Sequence, residues 1–237
     1  MSKRAIILAG GKGTRLRPYT IVLPKPLMPI GEYPILQVII KQLAQNGFDR
    51  ITLAVNHQAE IIEAFFTNGS KLGIKIDYSL EDRPLSTMGP LKLISDLPDD
   101  FLVMNGDILT DLSYAEFFEY HVQRKNIFTI SSFVREQTID YGVLEPDSRG
   151  KLGGFREKPK FQYEVSMGIY MVNRRILDFI PDNQSYGFDT LMIDLMGAKD
   201  PAAIRRHNGY WLDIGRPDDY ALAIDEFEQM KSRFLRE

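Results

Sequence analysis

Apolar positions in the first half of the chain switch repeatedly between two periods. The run Ala5 to Ala9 is continuously apolar and predicts a first strand over residues 4–9. Leu36, Ile39, Ile40 and Leu43 then recur at i, i+3, i+4 and i+7, the spacing of one helix face, and Asn46-Gly47 supplies the stop. Ile51 to Val55 predicts the next strand. Ile61, Ile62, Phe65 and Phe66 predict a second helix closed near Gly69, with all four expected in the core. Residues 74–80 alternate, Ile74, Ile76 and Tyr78 against polar neighbours, as an edge-type strand ending at Glu81 does. Phe101 to Met104 reads as a buried strand that runs into Asn105-Gly106-Asp107. Strands and helices in alternation imply βα units and a mostly parallel sheet.

Further on, the pattern changes. Residues 127–134, 141–145, 151–157 and 167–172 are strand-like, separated by turn chemistry such as Pro146-Asp147-Ser148-Arg149-Gly150, with no helix between them. Ser113 and Glu116 form a capping box for the helix that precedes this stretch, and Asp111 is expected to be a structural charge among exposed ones. After Gly187-Phe188-Asp189 a helix carries Leu191, Ile193, Leu195 and Met196. Pro217 starts a closing helix whose buried face is Tyr220, Ile224 and Phe227. The expected class is α/β: a Rossmann-like, mostly parallel or mixed sheet flanked by helices, with a small antiparallel lobe.

Composition narrows the chemistry. A length of 237 residues suits one α/β domain with elaborations, and a net charge of −3 offers no global basic field for nucleic acid. Phosphate binding must therefore come from local cations. The absence of cysteine removes disulfides, thiolate catalysis and Cys-based zinc together. His57, His121 and His207 are scattered without ligand spacing and are expected to be structural or surface residues. No apolar run reaches membrane-spanning length, and the first residues enter a strand rather than a secretory segment, so no membrane partner and a cytoplasmic location are expected.

The candidate chemistry begins at Leu8-Ala9-Gly10-Gly11-Lys12-Gly13-Thr14-Arg15-Leu16, followed by Pro24-Lys25-Pro26-Leu27-Met28-Pro29-Ile30. A loop with three glycines in four residues exposes backbone N–H groups to a polyphosphate, and Arg15 and Lys25 add charge beside it. It is not a Walker A loop, because Thr14-Arg15 follows Gly13 where Lys-Ser or Lys-Thr is required. Nor is it a dinucleotide fingerprint, because Leu16 stands where the third glycine should be. Asp107, emerging from the carboxyl end of a parallel strand, sits where open α/β sheets bind ligands.

These two segments together resemble the signature of the sugar-1-phosphate nucleotidyltransferases, also called nucleotide-sugar pyrophosphorylases, and in particular mannose-1-phosphate or heptose-1-phosphate guanylyltransferases. The likeness extends over nearly the whole chain. Glu81 to Leu91 stands where the family carries E-x-x-P-L-G-T-A-G, with Ser86 for a glycine and Met88 for an alanine. Asp140-Tyr141-Gly142-Val143, Phe155-Arg156-Glu157-Lys158-Pro159 and Val165-Ser166-Met167-Gly168 are similar to the segments around the sugar. In the last of these Ser166 and Met167 replace the common Asn-Ala. Trp211-Leu212-Asp213-Ile214-Gly215-Arg216-Pro217 is similar to the second metal motif.

The resemblance implies a single nucleotidyltransferase domain over residues 1–237, its nucleotide-binding part about 1–125 and its sugar-binding part about 126–237. No hexapeptide repeat is visible, so no appended acyltransferase domain is expected. It further implies that Leu8, Ala9, Gly10, Gly11, Gly13 and Thr14 bind nucleotide, with Arg15 on the β,γ-phosphates and Lys25 on the α-phosphate as the catalytic cations. Glu81, Thr87 and Gly89 would lie at the base, and Asn105, Gly142, Glu157, Lys158 and Ser166 at the sugar phosphate. Asp107 and Asp213 would hold Mg2+. Nucleoside triphosphate and sugar 1-phosphate are the implied partners, with a homo-oligomer, dimer or tetramer, left open.

A carboxylate at position 81 offers two acceptors that suit the adjacent N1–H and N2 amino donors of guanine, with the N4 amino group of cytosine as runner-up. Cytidylyl or thymidylyl transfer, a non-sugar phosphate acceptor, and a non-catalytic nucleotide-sugar sensor remain as rival readings.

Overall fold

The apolar run at the start of the chain becomes β1 (Arg4–Leu8), in which Ala5, Ile6 and Ile7 are wholly excluded from solvent. In the computed structural model, which describes residues 2–235, this strand lies inside a seven-stranded sheet, and burial on both faces explains its unbroken apolar character. A short hairpin of β2 (Pro29–Ile30) and β3 (Tyr33–Pro34) leads into α1 (Ile35–Gln45). β4 (Arg50–Val55), α2 (Ala59–Phe66) and β5 (Lys75–Leu80) follow, with β4 parallel to β1 and β5 parallel to β4 at the sheet edge. The chain then crosses back, so that β6 (Asp100–Asn105) pairs in parallel with the other side of β1. Strand order thus reverses between β1 and β6, where the connections leave in opposite directions and open a crevice.

β7 (Ile108–Thr110) and α3 (Tyr114–Arg124) lead into the second half of the chain. There β8 (Phe128–Thr138), β9 (Val143–Pro146), β10 (Leu152–Arg156) and β11 (Lys160–Asn173) follow without an intervening α-helix. The chain continues through α4 (Phe188–Gly197), β12 (Ala203–Arg206), β13 (Trp211–Asp213) and α5 (Pro217–Phe234). The sheet order is β12-β8-β11-β6-β1-β4-β5. β11 is antiparallel to both neighbours while β12 is parallel to β8, so β11 alone runs against the rest. The outer parts of β8 and β11 pair with each other, and the β9–β10 ribbon lies between them in the chain as the small antiparallel lobe. No helix among the described residues is long and apolar enough to cross a membrane.

Three helices bury narrower stripes than their sequences suggest. In α2 Ile62 and Phe66 are buried, whereas Ile61 and Phe65 are exposed. Adjacent helical residues point about 100° apart, so an i, i+4 pair faces the sheet and its neighbours turn outward. The same geometry buries Leu191 and Leu195 of α4 and exposes Ile193 and Met196. In α5 it selects Tyr220, Ala223 and Phe227 and leaves Ile224 outside.

The capping box is half formed. Ser113 Oγ accepts from the Glu116 N–H at 3.4 Å, while the Glu116 carboxylate pairs with Arg205. Asp111 is structural, as expected, but inward-facing rather than one of a set of exposed charges. It accepts from His207 Nε2 at 2.8 Å, from the Tyr210 N–H at 2.7 Å and from Arg233 at 2.5 Å, fastening α5 to the sheet end. His121 is buried against Thr129 and Asp100.

At the opposite end of the sheet Arg4, buried although charged, donates to Thr52 at 3.0 and 2.7 Å and to Asp96 at 2.8 Å, and Arg50 reaches Asp96 at 2.6 Å. Hydrogen bonds from these guanidiniums, Arg4 first, hold the Asp96 carboxyl at about 2 instead of 3.8. A depressed carboxyl pKa contributes stability that is present above the unfolded value and lost as pH falls through the folded one. The urea midpoint should therefore drop between pH 4 and pH 2 less steeply in Asp96→Asn than in the unaltered chain; parallel pH profiles would remove this role.

Candidate active site

The crevice beside β1 encloses about 490 Å³ and is lined by the glycine-rich loop, Lys25, Glu81 and the carboxyl end of β6 with Asp107, and by Asp213. Its floor is fixed by the sheet, since the Ala9 N–H donates to Ala54 O at 2.8 Å and the Gly106 N–H to Leu8 O at 3.0 Å. Beyond Ala9 the loop leaves the ladder. Gly13 has φ +59° and no room for a side chain, a Cβ there falling 2.9 Å from Thr20 Cγ2. Thr20 Oγ1 donates to Gly13 O at 2.7 Å and so anchors the loop from beneath. Thr20 is buried and carried no signal in the sequence beyond its place near the motif.

Lys25 sits in a single 3-10 turn between Pro24 and Pro26, half-buried, with its ammonium paired to the Asp107 carboxylate. Burial lowers the Lys25 pKa to about 8, the Asp213 charge opposing the shift and Arg15 adding to it. Asp107 and Asp213 meet because β13 pairs antiparallel with β7, placing Asp213 opposite Ile108, and because the Ile214 N–H donates to Asp107 O at 3.1 Å. Gly215 shows how tight the junction is. A Cβ on it would stand 2.6 Å from Lys25 Nζ, 2.8 Å from Asp213 Oδ1 and 3.0 Å from an Arg15 guanidinium nitrogen. Gly215 lies at the centre of this junction, a position that sequence reasoning passed over although it falls inside the W-x-D-I-G-x-P segment.

Glu81 follows β5 and is half-buried, its Oε2 accepting from the Leu85 N–H at 3.1 Å. Burial raises its pKa, and the Leu85 N–H works against the rise. Asn56, at the carboxyl end of β4, donates to Glu81 O at 2.8 Å and lines the crevice. The signal that pointed to Asp107, the end of a parallel strand, applies equally to Asn56. Ser86 adopts φ +65°, a conformation suited to the glycine it replaces in the family pattern. Met88 is wholly buried in the core, so its departure from the pattern concerns packing.

The predicted residues do not all converge. Leu8, Ala9, Gly10, Gly11, Arg15, Lys25, Glu81, Thr87, Asn105, Asp107 and Asp213 line the crevice, and Lys12 and Gly106 join them. Gly13, Thr14 and Gly89 lie outside its lining, Gly89 being buried where a Cβ would stand 2.9 Å from Gln184 O. Gly142, Glu157 and Lys158 lie on the exposed lobe, where a Cβ on Gly142 would be 3.2 Å from Glu157 Oε2. Ser166 stands between the two groups. Its Oγ accepts from the Gly168 N–H at 3.2 Å, and Gly168, φ +72° in the register shift of β11, passes so close to Asn105 that a Cβ would be 2.6 Å from Nδ2. Met167 is buried, its backbone carbonyl accepting from the only tryptophan, Trp211, at 3.1 Å.

Among the described residues no group of three or more acidic, histidine or cysteine side chains gathers to hold a metal. The Asp107–Asp213 pair nevertheless fits a hard cation such as Mg2+, which needs few carboxylates when a substrate supplies oxygens, and the ammonium of Lys25 already stands against this pair.

The profile of the nucleotidyl transferase family matches residues 4–230. The chain belongs to that family. A UTP--glucose-1-phosphate uridylyltransferase of Synechocystis sp. is 35% identical over 93% of the chain, and a mannose-1-phosphate guanyltransferase of Yarrowia lipolytica is 35% identical over 92%. The chain spans 62% of the length of each of these relatives. The crystal structure of HddC from Yersinia pseudotuberculosis complexed with GMP-PN superposes with a TM-score of 0.72 at 27% identity, covering 95% of this chain and 99% of that one. The α/β sheet and its crevice are thus the nucleotidyl transferase fold, with the family's glycine-rich segment at the switch point between β1 and β6.

Proposed function

We propose that this chain is a nucleotidyltransferase that joins a sugar 1-phosphate to a nucleoside triphosphate, GTP by preference, and releases pyrophosphate. The observation that carries the reading is the meeting of Arg15, Lys25, Asp107 and Asp213 around Gly215 at the mouth of a glycine-rich loop. A phosphate oxygen of the acceptor attacks the α-phosphorus and pyrophosphate leaves. No general base is required, because a phosphate monoester has a second pKa near 6 and is mostly dianionic at neutral pH. Alignment and charge neutralisation are what the protein must supply.

Gly10, Gly11 and Gly13 offer backbone donors to the triphosphate, Arg15 holds the departing phosphates with its fork of donors, and Lys25 exchanges its carboxylate partner for the α-phosphate. Asp107 and Asp213 would hold Mg2+, which neutralises phosphate oxygens when bound. Glu157 and Lys158 on the lobe, with Asn105, Gly142 and Ser166, take the sugar phosphate. The nucleotide part, about 1–125, and the sugar part, about 126–237, form one domain, a reading supported by β11 of the second part pairing directly with β6 of the first. The need for nucleoside triphosphate favours a cytoplasmic setting.

Guanine is favoured by Glu81, whose carboxylate suits two adjacent N–H donors, and by the guanyltransferase among the relatives. Uridylyl transfer is the second reading, favoured by the Synechocystis relative. Pyrophosphate release should be measured with Mg2+ for GTP, CTP, dTTP, UTP and ATP separately against pooled hexose and heptose 1-phosphates. Release with GTP alone is expected. Release with UTP alone would transfer the proposal to that base, and silence with every nucleotide would overturn the enzymatic reading.

A further inference from the structure

The loop at Arg83–Gly89 is held almost entirely by a segment of the second half of the chain. Arg83 donates to Asn183 O, the Tyr186 N–H donates to Leu85 O at 3.0 Å, and the Met88 and Gly89 N–H groups both donate to Tyr186 O, at 3.0 and 3.1 Å. Between these bonds lies Thr87. α4 begins at Phe188 behind Gly187, which has no side chain with which to cap it. The first N–H of the helix, that of Phe188, donates instead to Thr87 Oγ1 at 2.7 Å. A hydroxyl from a remote loop thus takes the place of an N-cap side chain.

The contact reaches the reading face of the crevice in two steps. Leu85 accepts from Tyr186 through its carbonyl and donates to Glu81 Oε2 through its N–H at 3.1 Å. Ser86, between Leu85 and Thr87, lines the crevice in a left-handed conformation that an L-residue keeps only when its surroundings impose it. Gly187 packs against it, a Cβ there falling 3.3 Å from Ser86 Oγ, while its neighbours Leu85 and Thr87 are bonded to Tyr186 and Phe188.

We propose that Thr87 is a positioning residue: by capping α4 it lets residues 183–188 set the shape of the loop that reads the nucleobase. Sugar-side structure then tunes base affinity without touching the base. This rests on the assignment of residues 81–87 to the nucleobase.

The test uses the full chain and its Thr87→Val and Thr87→Ser variants. Binding of GTP, CTP, UTP and inorganic tripolyphosphate is measured by calorimetry, and backbone amide exchange is followed with and without GTP. Valine removes the acceptor at constant shape. It should weaken the preferred nucleotide about tenfold, the equivalent of one neutral hydrogen bond, and leave tripolyphosphate unchanged. Serine should restore the affinity.

In the unaltered chain, GTP should slow exchange at residues 183–188 as well as at 84–87, a readout that stands even if the valine variant does not fold. Undiminished nucleotide affinity in Thr87→Val overturns the proposal. So does lost affinity with no change of exchange at 183–188, which would make Thr87 a direct contact. If the unaltered chain binds no nucleotide more tightly than tripolyphosphate, the base assignment itself fails, a result separate from either variant outcome.

Discussion

Lys25→Ala should lower the rate of pyrophosphate release by about a hundredfold or more, the usual cost of removing one preorganised charge from a reacting phosphate. The ammonium is half-buried, so no solvent cation replaces it freely, and burial has already lowered its pKa to about 8. Removing it also leaves Asp107 without its partner in the free protein. The loss should fall on kcat more than on KM for the nucleotide, because Arg15 and the loop amides remain to bind the β- and γ-phosphates. Stopped-assay pyrophosphate detection at saturating substrates measures this directly. A kcat within threefold of the unaltered protein would remove Lys25 from the catalytic machinery.

Asp107→Asn should be as severe, about a hundredfold or more in kcat, while leaving the fold in place. The substitution keeps the shape and the backbone carbonyl that receives the Ile214 N–H, so the junction of β7 and β13 survives. What it removes is one of two negative charges facing a divalent cation, and it frees Lys25 from its ion pair. Paramagnetic Mn2+ bound to the protein with nucleotide should be lost in this variant, and the thermal midpoint should show the fold retained. Retention of both bound Mn2+ and turnover would end the assignment of Asp107 as a metal ligand.

The stretches most legible in the sequence are those whose constraint is local. Gly13 is a glycine because of its own φ and because Thr20, seven residues on, leaves no room. The unbroken apolar runs of β1 and β6 announced buried strands, and the end of β6 announced Asp107. Helix faces were only half legible, since an amphipathic run shows that one side is buried but not how wide the buried stripe is. Ile61, Phe65 and Ile224 therefore fell on the wrong side.

What the sequence by itself determined is the alternation of strands and helices through the first half of the chain, the glycine-rich loop with Arg15 and Lys25, and the residue types able to meet phosphate and a hard cation. These follow from backbone sterics, periodicity and side-chain chemistry, all of which act over a few residues. Only the tertiary structure decided which of them meet. The β7–β13 register brings Asp213 to Asp107, the fold of the Lys25 turn sets an ammonium against Asp107, and Thr87 caps a helix from the far half of the chain. Each of these is a contact between segments remote in the chain, whose geometry is set by the packing of the sheet and its helices as a whole.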